Sequence, residues 1–235
     1  MKPRSFLFAA ALAFSGALDT AAQAQERPVL VELFTSQGCS SCPPADEFMH
    51  ELAKRENVVA LALHVDYWDY IGWKDSFAQP DFTARQRAYA RLDNRKMVYT
   101  PQMVINGSDH VIGSNLKDTN RVIETHQELP VEVDLQVSRV GDSVTVSGEA
   151  MSDAADTVTV YVFRYIPESK VDILSGENAG RTFSYANVVT DMQVLTQWDM
   201  SEPLDMTMDL TGDQPAVVVV QGDRNGVVKA VAKVE

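Results

Sequence analysis

"TSQGCSSCPPADEF", residues 35–48, holds both cysteines of the chain, with two residues between them and two prolines directly behind. Proline is tolerated in a helix only in the first turn, where its missing N–H has no intrahelical partner to lose, so Pro43 and Pro44 set a helix start near Ser41. Cys39 then lies just outside the helix mouth and Cys42 in its first turn. Two residues at this spacing are neighbours on a helical turn, close enough for a disulfide. The unpaired amides and positive dipole end of the helix favour a thiolate at Cys39, the expected nucleophile, with Cys42 the more sheltered resolving thiol. Asp46 and Glu47 put negative charge into the same turn and partly oppose this, so the Cys39 thiol is expected below its free value but short of the strongest oxidants.

Outward from this stretch, residues 28–129 alternate short apolar runs with helical patterns. "PVLVELFT" before it reads as a buried strand, and "PADEFMHELAKRE" after it puts Phe48 and Leu52, with Ala45 and Met49, on one helical face. "NVVALALHVDYW" is a second strand, apolar on both faces; "PDFTARQRAYARLDN" is a helix; "PQMVINGSDHVIG" is a hairpin turning at Asn106-Gly107; "SNLKDTNRVIETHQE" is a helix capped by Ser114 or Asn115. That order describes an α/β domain with a mixed sheet. After Pro130 the pattern changes to period two: "VEVDLQVSRVGDSVTVSGEA" reads as a hairpin turning at Gly141-Asp142, and four further β segments follow. This half is expected to be a small all-β, sandwich-like domain.

The N-terminus fixes the compartment in which the cysteines are read. Lys2 and Arg4, the apolar run "FLFAAALAFSGAL" and small residues at Ala22 and Ala24 make residues 1–24 a signal peptide, leaving domains at 25–129 and 130–235. The formal charge is −13, and −14 once residues 1–24 are removed. Such a surface repels phosphate and anionic headgroups, which excludes nucleic acid as a partner, and no later segment has the roughly 20 apolar residues of a membrane span. A periplasmic or secreted protein, not an integral membrane protein, is expected.

A strand bearing an acid, a C-x-x-C at a helix mouth and a later proline opening a hairpin resemble the thioredoxin-like fold over residues 28–129. The resemblance implies that Glu32 in "LVELF" assists proton movement, and that Pro101 in "VYTPQMVI", preceded by Thr100, is a cis-proline facing the cysteines and shaping a peptide-binding edge. A closer likeness spans essentially the whole mature chain. "ELFTSQGCSSCPPAD", "HVDYWDYIGWKDSFAQPDFTARQRAYA", "YTPQMVING" and "GENAGRTFSYANVV" resemble the exported bacterial group known as domain of unknown function 1223. That group implies a thioredoxin-like domain followed by a β domain, and no particular activity.

Several alternatives stand side by side. The cysteines suit a thiol–disulfide oxidoreductase acting on protein thiols with an unidentified redox partner and no organic cofactor. They also suit a permanently closed disulfide in a partner-binding module. A third use is copper delivery, in which Cys39 and Cys42 are joined by His64 or His110 and by Met97 or Met103. In "HVDYWDYIGWKD", Asp66, Tyr67, Trp68 and Trp73 form either one wall of a substrate groove or the closure of the core. "GENAGRTFSYANVV", residues 176–189, is either optional surface or a segment packed back near Cys39.

Overall fold

The computed structural model describes residues 27–152 and 156–234, so the expected signal peptide, residues 1–24, lies outside the described residues. Strand β1 (Val29–Thr35) is buried along its whole length because it runs between two partners. It pairs in parallel with β2 (Val58–His64) and antiparallel with β3 (Gln102–Ile105). Its side chains alternate between two cores. Val29, Val31 and Leu33 join the cluster under α1 (Pro43–Leu52) and α3 (Leu116–Gln127), while Leu30 and Phe34 join the cluster under α2 (Pro80–Leu92). Two covered faces account for the near-continuous apolar run that β1 and β2 show.

The helices begin where proline permits. Cys42 is the N-cap of α1, Pro43 and Pro44 occupy its first turn, and Ala45, Phe48, Met49 and Leu52 form its buried stripe. Gln79 is extended before Pro80, which opens α2. The Asn115 side chain caps α3 by accepting the Asp118 N–H at 3.3 Å. β3 turns at Asn106 and Gly107, both at positive φ, into β4 (Asp109–Ile112).

The expectation of a thioredoxin-like α/β domain followed by a separate sandwich-like β domain is overturned by the sheet itself. β7 (Val158–Asp172), β8 (Thr182–Trp198), β10 (Ala216–Gly222) and β11 (Val228–Val234) continue the first sheet, giving the order β11-β10-β7-β8-β2-β1-β3-β4 over eight strands. The joint is a parallel rung between Ala62 of β2 and Val188 of β8. Its cause is the edge problem: without β8, apolar β2 leaves a row of unpaired backbone groups at a sheet margin. The chain has no clear split near Pro130.

The period-two hairpin is β structure, as its alternation predicts, but it is not half of an independent sandwich. β5 (Val133–Val140), β6 (Ser143–Ala150) and β9 (Leu204–Asp209) form a three-stranded sheet of their own. Val133, Val144 and Val146 pack on Val160, Val218, Val220 and Trp198 of the large sheet. β10 is therefore buried on both faces, with Val217 and Val219 in the α2 core and Val218 and Val220 beneath the small sheet. Each of these valines contributes about 1.5–3 kcal/mol of burial. Among the described residues no helix is long and apolar enough to cross a membrane.

Candidate functional site

Cys39 and Cys42 form a disulfide with a Cα separation of 5.4 Å. The turn that brings them together is held by its own backbone: Cys39 N–H donates to the Ser36 carbonyl at 3.1 Å and Cys42 N–H to the Cys39 carbonyl at 3.3 Å. Pro43 and Pro44 carry no N–H, and the first amides of α1, those of Ala45 and Asp46, donate to the Cys42 carbonyl, so the unpaired amides expected to face Cys39 are not there. Cys39 lies outside the helix mouth as its spacing requires, with Sγ 3.5 Å from Ser41 Oγ. It is nevertheless only 1% exposed, whereas Ser40 and Ser41 between the cysteines are open to solvent. The aromatic segment is the cover over the adjoining Gly38: a Cβ built there meets Trp68 Cβ at 3.2 Å and Ile71 Cδ1 at 3.3 Å, closer than ordinary contact.

Three of the anticipated site residues converge beside this turn. The Thr100–Pro101 peptide is cis. Trp68 Nε1 donates to Thr100 Oγ1 at 2.8 Å, linking the cover to the proline loop. A Cβ on Gly113 meets Pro101 Cβ at 3.0 Å and Ala45 Cβ at 3.1 Å, so Pro101 stands against the start of α1. An open groove runs along Ser41, Tyr99, Thr100, Pro101, Ile112 and Asn115. Trp73 instead braces the approach to Cys39, its Nε1 donating to Gln37 Oε1 at 2.8 Å. Tyr67 donates to Gln86 at 3.2 Å, and burial pushes its hydroxyl up to about 12.

Glu32 is not with them. Alternation along β1 sends it to the α2 face, opposite the face that packs on α1. There it is fully buried and accepts from Arg85 Nε at 2.6 Å and Nη2 at 3.1 Å, and from the Tyr89 hydroxyl. Gln221 of β10 accepts from Arg85 Nη2 at 2.8 Å, so this cluster ties α2 to both halves of the sheet.

The carboxyl on the cysteine side is Asp46, one helical turn after Cys42. It accepts from Thr35 Oγ1 at 2.7 Å, is 5% exposed, and is pushed up to about 7 by burial, against the opposing influence of His64 and the Thr35 hydrogen bond. Its signal was present in the sequence as an acid placed within the apolar stripe of α1. Beside it His64 Nδ1 lies 2.8 Å from Asp75 Oδ2, both side chains fully buried. Burial alone raises the Asp75 carboxyl, but His64 and the backbone N–H groups of Gln37 and Phe77 outweigh it and hold Asp75 below the usual range. Tyr185 stacks edge-on to His64 at 4.9 Å, and among the described residues neither its hydroxyl nor His64 Nε2 has a hydrogen-bond partner.

The residues of the copper alternative are not gathered. Cys39 and Cys42 bond each other, His64 faces α1, and His110 lies on the α2 face against Gln102 and Asp93. Met103 is in the α1 core and Met97 is exposed. Among the described residues no group of three or more His, Cys, Asp or Glu is placed to hold a metal ion.

Residues 176–189, with Ser175 just before them, pack back on the first half of the chain. Asn178 Nδ2 donates to the Gln37 carbonyl at 2.9 Å, Ser175 Oγ to the Gly72 carbonyl at 2.6 Å, and Asn187 Nδ2 to the Ala60 carbonyl at 2.8 Å. Arg181 is held by Asn178 and lies over the Phe183 ring. From Thr182 onward this stretch is strand β8, which its small and polar residues disguised.

Among solved structures, protein AGR_C_4864 from Agrobacterium tumefaciens is similar with a TM-score of 0.76 and 32% identity, over 89% of this chain and 95% of that one. HBP35 of Porphyromonas gingivalis shares the fold at a TM-score of 0.58 and 16% identity, over 88% of this chain and 74% of that one. No curated protein matches. The sequence profile described as "Protein of unknown function (DUF1223)" matches residues 30–221, and the chain belongs to that family.

Proposed function

We propose that Cys39 and Cys42 are a reversible dithiol–disulfide couple that exchanges with cysteine thiols of polypeptides lying along the Ser41, Thr100 and Pro101 groove. In the oxidising direction a substrate thiolate attacks Cys39 Sγ, and the Cys39–Cys42 bond breaks. Its electron pair leaves on Cys42 Sγ, which takes a proton. A second substrate thiolate then attacks the mixed disulfide and releases Cys39 as a thiolate, which is protonated in turn. Two substrate thiols have lost two electrons and two protons to the pair. The same steps reversed reduce a substrate disulfide. Asp46, on the cysteine face, is the carboxyl we assign to proton movement at Cys42, while Glu32 is assigned to holding α2.

The observation that carries this reading is the placement of a four-residue disulfide loop at the N-terminus of α1, directly beside the groove along the proline loop. A loop this short stabilises a fold by only about 2 kcal/mol in the chain-entropy picture, which makes it a poor permanent staple. The leader-like residues 1–24 support placing the exchange in an exported, oxidising compartment. One observation favours a second reading, a bridge that stays closed: Cys39 is 1% exposed. Equilibration in glutathione buffers separates the two. A reduction potential above about −300 mV supports exchange, and a lower one with no mixed disulfide formed at Cys39 supports the closed bridge.

A further inference from the structure

Arg85, Arg87, Arg91, Arg95 and Lys96 fall within residues 85–96, which contain one acid, Asp93, in a chain of formal charge −13. Arg85 is spent on Glu32 inside the protein. The other four are exposed. Arg87 and Arg91 are one turn apart on α2, and a bond from Arg95 N–H to the Ala90 carbonyl at 2.8 Å folds the following loop back onto the helix end. Among the described residues no side-chain hydrogen bond or ion pair engages Arg87, Arg91 or Lys96; Arg95 pairs with Asp93 at 3.1 Å.

The helix dipole accounts for a cation in the last turn of α2, and so for Arg91 alone. Solubility accounts for none of them, since the chain is already strongly acidic. Arg95 and Arg87 connect this basic run to the cysteine groove, with Arg91 one turn from Arg87 and Lys96 next to Arg95 in the chain. Arg95 lines the groove together with Ser41, Thr100 and Pro101. Arg87 lies close enough to Tyr67 to act on its hydroxyl, and Tyr67 stacks beside Trp68, whose indole holds Thr100. Met97, 81% exposed, adds an apolar contact between Lys96 and Tyr99.

We infer that this basic face docks an acidic segment of the polypeptide whose cysteine exchanges at Cys39 and Cys42; the inference rests on the exchange reading above. Charge complementarity identifies the occupant, and the sign of the effect is diagnostic. A substrate responding to the whole molecule prefers a basic flank, whereas one docking on Arg87, Arg91, Arg95 and Lys96 prefers an acidic flank.

The test compares two synthetic peptides, one cysteine flanked by Asp and Glu and the same cysteine flanked by Lys, reacting with the oxidised full chain at low and high salt. The acidic peptide is expected to exchange about tenfold faster at low ionic strength, with the ratio shrinking toward one as salt shortens the Debye length to about 3 Å at 1 M. In the double variant Arg91→Glu, Lys96→Glu the low-salt ratio is expected to fall to about one or invert. Equal rates, a faster basic peptide, or a ratio unaltered in the variant overturns the docking face. Dithiothreitol separates the two readings: exchange with it but no charge preference sinks the inference alone. If no thiol exchanges, binding of the acidic peptide with serine in place of cysteine, followed by fluorescence anisotropy, still decides the docking face.

Discussion

Replacing Asp46 by asparagine isolates a single titration at the cysteine face. Burial raises this carboxyl from its ordinary value of 3.8 to about 7. At 1.36 kcal/mol per pH unit the difference amounts to about 4 kcal/mol between the unfolded and folded chains. Because the folded value is the higher one, the protonated form is the stabilising one. Its contribution is fully present below about pH 4, is lost progressively as pH rises toward about 7, and changes no further above that. Asparagine carries no charge and keeps an acceptor for the Thr35 hydroxyl, which now donates at 2.7 Å. Asp46→Asn is therefore expected to match the parent within about 1 kcal/mol at pH 4 and to exceed it by up to about 4 kcal/mol at pH 8. Urea unfolding of the oxidised protein at pH 4, 6 and 8 reads this, because titrating groups away from Asp46 and its neighbours His64 and Asp75 cancel in the difference between the two proteins. Stability curves that run parallel from pH 4 to 8 would refute the reasoning, since they mean that Asp46 ionises without hindrance in the fold.

Two further outcomes follow from the same geometry. Glu32→Gln leaves the Arg85 guanidinium buried without its counter-charge, and the unfolding free energy is expected to drop by about 3–5 kcal/mol in a denaturant titration. The potential of the cysteine pair is expected to stay put; a shift beyond about 30 mV would bring Glu32 back into the cysteine chemistry. Asn178→Ala strips the Gln37 carbonyl of its buried donor and is expected to destabilise by about 1–3 kcal/mol. It should also speed reduction of the oxidised pair by a small thiol in stopped flow, and an unchanged rate would show that residues 173–181 do not govern access.

The local features of this architecture were legible because their causes are local. Pro43 and Pro44 fix the start of α1 to within two residues, Asn106-Gly107 and Gly141-Asp142 fix two hairpin turns, and alternation marks β5 and β6. The parallel rung between Ala62 and Val188 was not legible, since nothing near either residue specifies the other. An apolar β2 announces that its edge is paired, but not with what. The misplacement of Glu32 has a related origin. Both faces of β1 are covered, so its apolar pattern does not say which face receives α1, and an acid on that strand was equally compatible with either. Helical spacing puts Asp46 beside the apolar stripe of α1, yet an acid in a first turn is equally suited to the helix dipole, so its turn into the core is not signalled by spacing alone.

The hydrogen bond from Asn178 to the Gln37 carbonyl joins residues 141 positions apart. A ribosome makes residue 37 long before residue 178, and a contact this distant in sequence closes late and at an entropic cost. The turn that carries both sulfurs is thus without this brace through most of synthesis. The arriving C-terminal half then braces the turn in whichever state chemistry has already chosen.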